Sequence, residues 1–444
     1  MGQPADPASV RADRSGDLLM WRVMGVLVFT AFVGSACSDL FDVENPTDLG
    51  ADDLDDENLT EALGNSAQGR LSQGYSSMMV GAATVSDEAF FISSYTYTRE
   101  LQAGVMTGFN QDYDQFYDNM AASRWVADEM IGRLQEIVAS PDSDIALANS
   151  HFWAGYARVL LADFFEDVPI DGSPPLSPAA ALEQAILSLD RAAQIAAAAG
   201  DMNLRGAALG SKARALRGLY FERGMQGSDF AAALQAAEEA LAAAPDYWLD
   251  IGYQMPGSEN IVYVELGSGI VENFIDPRYA NMIDPVGGGV DPRIKHTVDF
   301  MNISDQRLDT CRTFFAAGEV CPGYTQLKYP DRSADIPVSR WQEARLIAAE
   351  AHLVAGNLPG AVEQINFARA GAGLPAFSSS DADEILAQLK YERIAEFWLE
   401  GRRMQDMRYY GEIPPDWGDP QKLAGSNRRW PVSVQEQNTN EFYR

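Results

Sequence analysis

Residues able to do covalent chemistry are few in this chain of 444 residues: three histidines, His151, His296 and His352, and three cysteines, Cys37, Cys311 and Cys321. No histidine lies in an HExxH helix and no serine in a GxSxG turn. Gly287-Gly288-Gly289 lacks the following Lys-Ser/Thr of a phosphate-cradling loop. The histidines therefore read as core or surface residues. Carboxylates are plentiful, 64 Asp and Glu against 33 Lys and Arg, and so many acids leave open a pair working across a glycosidic bond. Glu392, Glu396 and Glu400 recur every fourth residue and would line one helix face, with Arg393, Arg402, Arg403 and Arg408 near enough in sequence to pair with them. That pattern predicts a surface salt-bridge lattice at a helix corner, each pair contributing about 0–1 kcal/mol. Packing by Phe397, Trp398 and Met407 would then matter more. Asp52, Asp53, Asp55, Asp56 and Glu57 could offer oxygen ligands to calcium, but they lack the EF-hand glycine and closing glutamate. They fit the acid-rich start of a helix.

Aromatic residues are the better binding material. Phe90, Phe91, Tyr95 and Tyr97 fall in the long stretch between Thr84 and Asn110, with Asp87 and Arg99 beside them as polar contacts. Trp248, Tyr253, Phe274, Tyr279, Phe314, Phe315 and Tyr324 fall in a second such stretch. Exposed aromatic faces stack on sugar rings or pack peptide side chains; for each of these residues the alternative is core packing.

The amino-terminal segment points to export. The apolar run Val26–Val33 leads into Gly34-Ser35-Ala36 and then Cys37, as in a signal peptide. A cysteine directly after small residues resembles a bacterial lipobox, although Gly34 stands where an aliphatic residue is usual. The resemblance implies cleavage before Cys37 and acylation of its sulfur and new amine. Several acyl chains on one residue give stable anchoring. A plain secretory signal or an uncleaved anchor is the alternative. Residues 1–19 carry Asp6, Asp13 and Asp17 and do not suit a signal, whereas Met20-Trp21-Arg22 does, so Met20 is the expected start. An exported protein makes a local disulfide between Cys311 and Cys321 the expectation, with two free thiols as the alternative. A net charge of −31 argues against nucleic acid or anionic lipid as a partner.

Behind these residues stands a mainly α-helical chain. Leu182, Ile186, Leu189 and Ala193 form one apolar stripe, Ala233, Ala237, Ala240, Leu241 and Ala244 a second, and Ala344, Ile347, Ala348, Ala351, Val354 and Ala355 a third. Stops stand at Gly200-Asp201, Gly224, Pro245, Gly356-Asn357 and Gly371. Helix pairs over roughly 117–166, 178–224, 229–250 with its neighbours, and 340–371 suggest tetratricopeptide-like hairpins, with generic helical hairpins as the alternative. Residues 37–56 read as a tether and 57–444 as one domain. A loop-rich insert occupies about 250–335, in which Ile261–Leu266 reads as a short strand.

Several blocks together resemble the RagB/SusD family of nutrient-uptake lipoproteins. They are Cys37-Ser38-Asp39-Leu40-Phe41-Asp42-Val43-Glu44-Asn45-Pro46, Asp291-Pro292-Arg293, the run from Lys328-Tyr329 through Arg340-Trp341-Gln342-Glu343-Ala344-Arg345 to Gly373-Leu374-Pro375, Glu392-Arg393-Ile394-Ala395-Glu396-Phe397 with Glu400-Gly401-Arg402-Arg403 and Asp406-Met407-Arg408, and Trp430-Pro431-Val432. The resemblance implies a tetratricopeptide-like helical scaffold under irregular loops. It implies a lipoprotein on the outer membrane, facing the exterior, beside a SusC-like TonB-dependent barrel to which it delivers captured ligand. Oligosaccharide is the default ligand, with peptide also compatible, and neither catalysis nor a cofactor or metal is implied. Ligand contacts are expected around Tyr95, Tyr97 and Tyr279, with Asp87 and Arg99 as polar partners. A secreted helical glycan-processing enzyme and a periplasmic protein-binding repeat scaffold are the competing readings.

Overall fold

The computed structural model describes residues 53–91, 95–104, 110–225, 228–267, 273–299, 323–412 and 429–443. Asp55–Arg444 forms one compact unit, which carries the fold. Cys37, Cys311 and Cys321, and with them the expected lipid anchor and disulfide, lie outside the described residues.

The hydrophobic stripes become a row of packed helices. These are α1 (Thr60–Val85), the short α2 (Thr96–Gln102), α3 (Gln111–Ile137), α4 (Ile145–Phe164), α5 (Pro178–Ala199), α6 (Met202–Glu222) and α7 (Asp229–Ala243). Starts and stops are chemical. Asn110 accepts from Asp112 N to begin α3, and Asp144 accepts from Leu147 N to begin α4. Gly200, at φ 83°, ends α5, and Asp201 at once caps α6. In the row α1 packs on α3, and each helix from α3 to α7 packs on the next. Gly74 and Gly81, two turns apart on α1, permit the close approach of α3. A Cβ at either would come within 2.5 Å of Asn119 or of the Phe116 ring.

After α7 the chain leaves the row and returns to it. Strand β1 (Ala89–Phe91) lies earlier, between α1 and α2; the departing strand β2 (Trp248–Ile251) pairs antiparallel with β6 (Ile336–Arg340), so the two ends of the excursion lie side by side. Within it are α8 (Ile261–Leu266), β3 (Asn273–Ile275), the single turn α9 (Pro277–Ala280), β4 (His296–Asp299) and β5 (Gly323–Gln326). β3 pairs with β1, and β4 with β5. The row then resumes with α10 (Trp341–Val354), which packs on α7, followed by α11 (Leu358–Gly371), α12 (Ala382–Glu396), α13 (Arg403–Tyr409) and α14 (Val434–Thr439). The mainly α scaffold of hairpins is therefore as expected, with the pair begun by α7 completed by α10 from across the insert.

Ile261–Leu266 is a helix, not the expected strand. A six-residue apolar run carries no decisive period, and here Asn260 caps it through Tyr263 N and ties it to Ala334 O. Only Val262 and Leu266, four residues apart, are buried.

The carboxylate row also differs from expectation. It is buried, not superficial: Glu392 and Glu400 are 0% and 1% exposed. Helix α12 ends at Glu396, and Leu399 (φ 58°) and Gly401 (φ 71°) turn the chain sharply, so Glu400 leaves the helix face. The nearby arginines pair elsewhere: Arg393 with Asp406, Arg402 with Glu343, Arg403 with Asp87, while Arg408 donates to Asp163 O. The row itself is met by cations distant in sequence. Glu392 binds Arg369 (2.5 Å) and Arg293 (2.7 Å), Glu396 binds Arg340 (2.5 Å), and Glu400 binds Arg340 (2.8 Å) and Lys328 (2.6 Å). Burial would raise the Glu343 carboxyl, but Arg402 and Arg214 outweigh it and lower it to about 2.

One buried acid has no such partner. Glu88 Oε1 accepts from Leu399 N at 2.9 Å, holding that left-handed residue, while Oε2 is enclosed without a partner. Burial raises its carboxyl from 4.5 to about 8. Folding therefore favours the protonated form; that contribution is complete below the unfolded value and fades as pH climbs towards 8. Glu88→Gln keeps an acceptor for Leu399 and is expected to gain on the wild type between pH about 5 and 8, by up to about 1.4 kcal/mol per pH unit. Thermal unfolding across that range checks this, and parallel profiles refute it. Arg369→Met, which strips the counter-charge from buried Asp284 and one of two from buried Glu392, is expected to cost about 3–5 kcal/mol in urea unfolding; a loss below about 1 kcal/mol would show the lattice to be dispensable.

Candidate functional site: the cleft beside Tyr95

The segment between α1 and α3 is where the sequence places binding residues, and it divides in two. Its first part is core. Phe90 and Phe91 are buried in β1, and Phe90 meets Phe274 of β3 edge-on at 5.9 Å. Asp87 accepts from Arg403 Nε (2.7 Å) and Nη2 (2.8 Å) and from the Tyr279 hydroxyl (3.0 Å). Burial raises the Asp87 carboxyl, but the Arg403 contact prevails and holds it below the usual carboxylate range. Tyr279 is 2% exposed. Asp87 and Tyr279, expected as ligand contacts, are thus enclosed with each other and with Arg403; the hydroxyl and carboxylate that would meet a ligand are spent on the fold. Phe274 and Tyr253 are likewise buried.

The second part faces outward. Tyr95 is the residue before α2, and its carbonyl accepts from Arg99 N. Its side chain is 62% exposed. Tyr97 is half-buried and Arg99 exposed. Asn110, fully buried, ties helix α2 to α3: it donates to Tyr97 O (2.8 Å) and Glu100 Oε2 (3.2 Å) while capping α3. Thr98 Oγ1 donates to Asp112 Oδ2 at 2.9 Å, a second tie between the two helices.

Tyr95 stands at a cleft of about 330 Å³, within the usual size of small-ligand sites. Ser77, Val80 and Gly81 of α1 and Phe116 of α3 form part of its wall; Thr98, Asp112, Gln115 and Glu265 supply polar groups. Asp112 is raised from its ordinary value by burial, against the Thr98 hydrogen bond and with the help of nearby Glu100. Glu265 accepts from Asn273 Nδ2. Of the five expected contacts only Tyr95 lines this cleft, and Tyr97 and Arg99 lie on the same short helix. Thr98, Asp112, Gln115 and Glu265 were not foreseen. Asn110 followed by Asp112 is an N-cap with an acidic first turn, and that signal could have set Asp112 at the mouth of α3. Chemically the cleft offers an aromatic face, several acceptors and a hydroxyl, which suits a polyhydroxylated ligand with one flat apolar side. None of the three histidines lines it.

Comparison with known proteins accords with this architecture. Residues 324–443 match the profile of the SusD family. No curated protein matches the chain. Among solved structures, a SusD homolog from Bacteroides thetaiotaomicron superposes with a TM-score of 0.68 at 13% identity, covering 87% of this chain and 96% of its own. A SusD superfamily protein from Bacteroides vulgatus gives 0.67 at 17% identity, covering 88% and 98%. A SusD-like carbohydrate binding protein from Bacteroides fragilis gives 0.67 at 15% identity, covering 88% and 99%. The chain thus matches the SusD family's profile over residues 324–443 and shares the fold of these SusD-like structures over most of its length.

Proposed function

We propose that this protein captures an oligosaccharide at the outer face of the outer membrane, holds it in the Tyr95 cleft, and passes it unaltered to a SusC-like TonB-dependent barrel. The observation that carries the reading is Tyr95, a large aromatic left exposed at the mouth of a cleft rimmed by Asp112, Gln115 and Glu265. Similarity to a carbohydrate-binding protein of the same fold supports the ligand class. The Tyr95 ring would stack on the apolar face of a sugar, and the carboxylates and amide would accept or share its hydroxyls. A binder that must hand on its cargo gains from such an open, partly polar site, because release stays fast when few groups are fully desolvated. Cys37, acylated, would hold the protein at the membrane; among the described residues no helix is long and apolar enough to cross one.

Calorimetry of the mature protein against a panel of oligosaccharides is expected to show binding, and Tyr95→Ala to weaken it about tenfold or more with unchanged circular dichroism. Equal affinity in the variant, or cleaved sugar in the calorimeter cell, would refute the assignment. Cys37→Ser is expected to abolish incorporation of labelled palmitate and to move the protein from the membrane fraction to the soluble fraction. A variant that stays membrane-bound would show that something other than the acylated cysteine holds it there.

A further inference from the structure

A larger cavity, of about 580 Å³, opens where the excursion joins the helical row. Trp248 stands on it, 40% exposed. An exposed tryptophan is ordinarily mobile, yet this one is fixed on three sides. Its indole N–H donates to Asp250 Oδ1 at 2.6 Å, and its backbone N–H and carbonyl are both held by the Asn203 side chain at 3.0 Å. The Arg340 guanidinium lies 5.3 Å from its ring centroid, a cation–π contact made by its partner in the β2–β6 register. A rigid aromatic face at a cavity loses little entropy when a ligand covers it. Pro292, Pro330 and Pro337 extend the apolar lining.

Most charges of this cavity are paired. Arg293, Arg340 and Lys328 are each paired with Glu396 or Glu400, which line the same space. Lys295 and Asp335, of opposite sign, are the exposed charges of the lining. An ionic ligand that engaged Arg340, Lys328 or their glutamates would have to displace one member of a buried pair, at the cost of leaving the other uncompensated. A neutral ligand rich in hydroxyls needs no such exchange, since each hydroxyl both donates to carboxylates and accepts from guanidinium and ammonium groups. Gln342 also lines the cavity, and its buried amide oxygen has no hydrogen-bond partner among the described residues.

We propose that the Trp248 cavity is a second saccharide site, selective for neutral sugar rings and built from residues none of which lines the Tyr95 cleft. It rests on the reading of this protein as a saccharide binder, and it adds that an extended chain can be held at two points, so that each site raises the effective concentration of sugar at the other.

Fluorine NMR of the mature protein carrying 5-fluorotryptophan tests it, with the Trp248 resonance assigned by its disappearance in Trp248→Phe. The probes are neutral glucan, xylan, mannan and galactan oligosaccharides, with galacturonan oligosaccharides and inorganic phosphate as charged counterparts. At least one neutral oligosaccharide is expected to shift the Trp248 signal in the wild type and equally in Tyr95→Ala, with charged probes leaving it in place. In the Tyr95→Ala background, Trp248→Ala is expected to weaken the residual calorimetric affinity about tenfold or more and Trp248→Phe to retain most of it. A Trp248 signal that no neutral sugar moves, while Tyr95-dependent binding persists, overturns the second site and leaves the first reading intact. Response to charged probes alone also overturns it. Absence of saccharide binding by either measurement overturns both.

Discussion

The structure depends on the burial of ion pairs between parts of the chain that are far apart in sequence. Glu392, Glu396 and Glu400 lie within nine positions of one another, yet their cations come from Arg293 and Lys328 in the excursion, Arg340 at its return strand and Arg369 on α11. Taking such charges out of water costs several kcal/mol each before attraction repays it, so the lattice is a modest source of stability. What it supplies is position. A guanidinium must sit within hydrogen-bond reach of its carboxylate from a fixed direction, and this leaves the excursion one way to lie against α12. Asp291, itself fully buried, accepts from Arg293 and from the Tyr391 hydroxyl, so the Asp-Pro-Arg turn is one more pin of the same docking.

The Tyr95 cleft inherits that docking. One wall comes from α1 and α3, whose approach is set by glycine at positions 74 and 81. Another comes from Val264 and Glu265 of α8, which belongs to the excursion. The contact of Asp87, Tyr279 and Arg403 ties the end of α1, the excursion and the start of α13 together just behind it. Trp430 packs at the end of α4, stacked on Phe164 at 5.2 Å and against Phe116 of the cleft wall at 5.1 Å, with backbone bonds to Phe164 O and from Glu166 N.

The helical row was legible in the sequence because its signals are local. Gly200-Asp201 and Gly356-Asn357 punctuate stripes whose members, such as Leu182, Leu189, Ala237 and Ile347, are buried as their spacing requires. The excursion was harder, since six residues at Ile261–Leu266 support either period and the outcome rests on Asn260 and its tie to Ala334. The site was legible only in part. Tyr95 and Tyr279 look alike in sequence, and what separates them is a hydrogen bond to Asp87, 192 positions away. The arginines beside the glutamate row misled for the same reason, because a buried charge takes the partner that the tertiary fold presents, not the nearest one along the chain.

The antiparallel contact of Trp248 with Arg340 has a consequence for how such a protein can change. It works as a neck: both ends of nearly a hundred residues are clamped side by side, and the helix pair on either side continues as though nothing lay between. Lengthening or exchanging what hangs from that neck adds only a slowly growing loop entropy and leaves the register of α7 and α10 untouched. Lineages can therefore retailor the overhanging part while the frame beneath stays constant, provided that the few docking charges are kept.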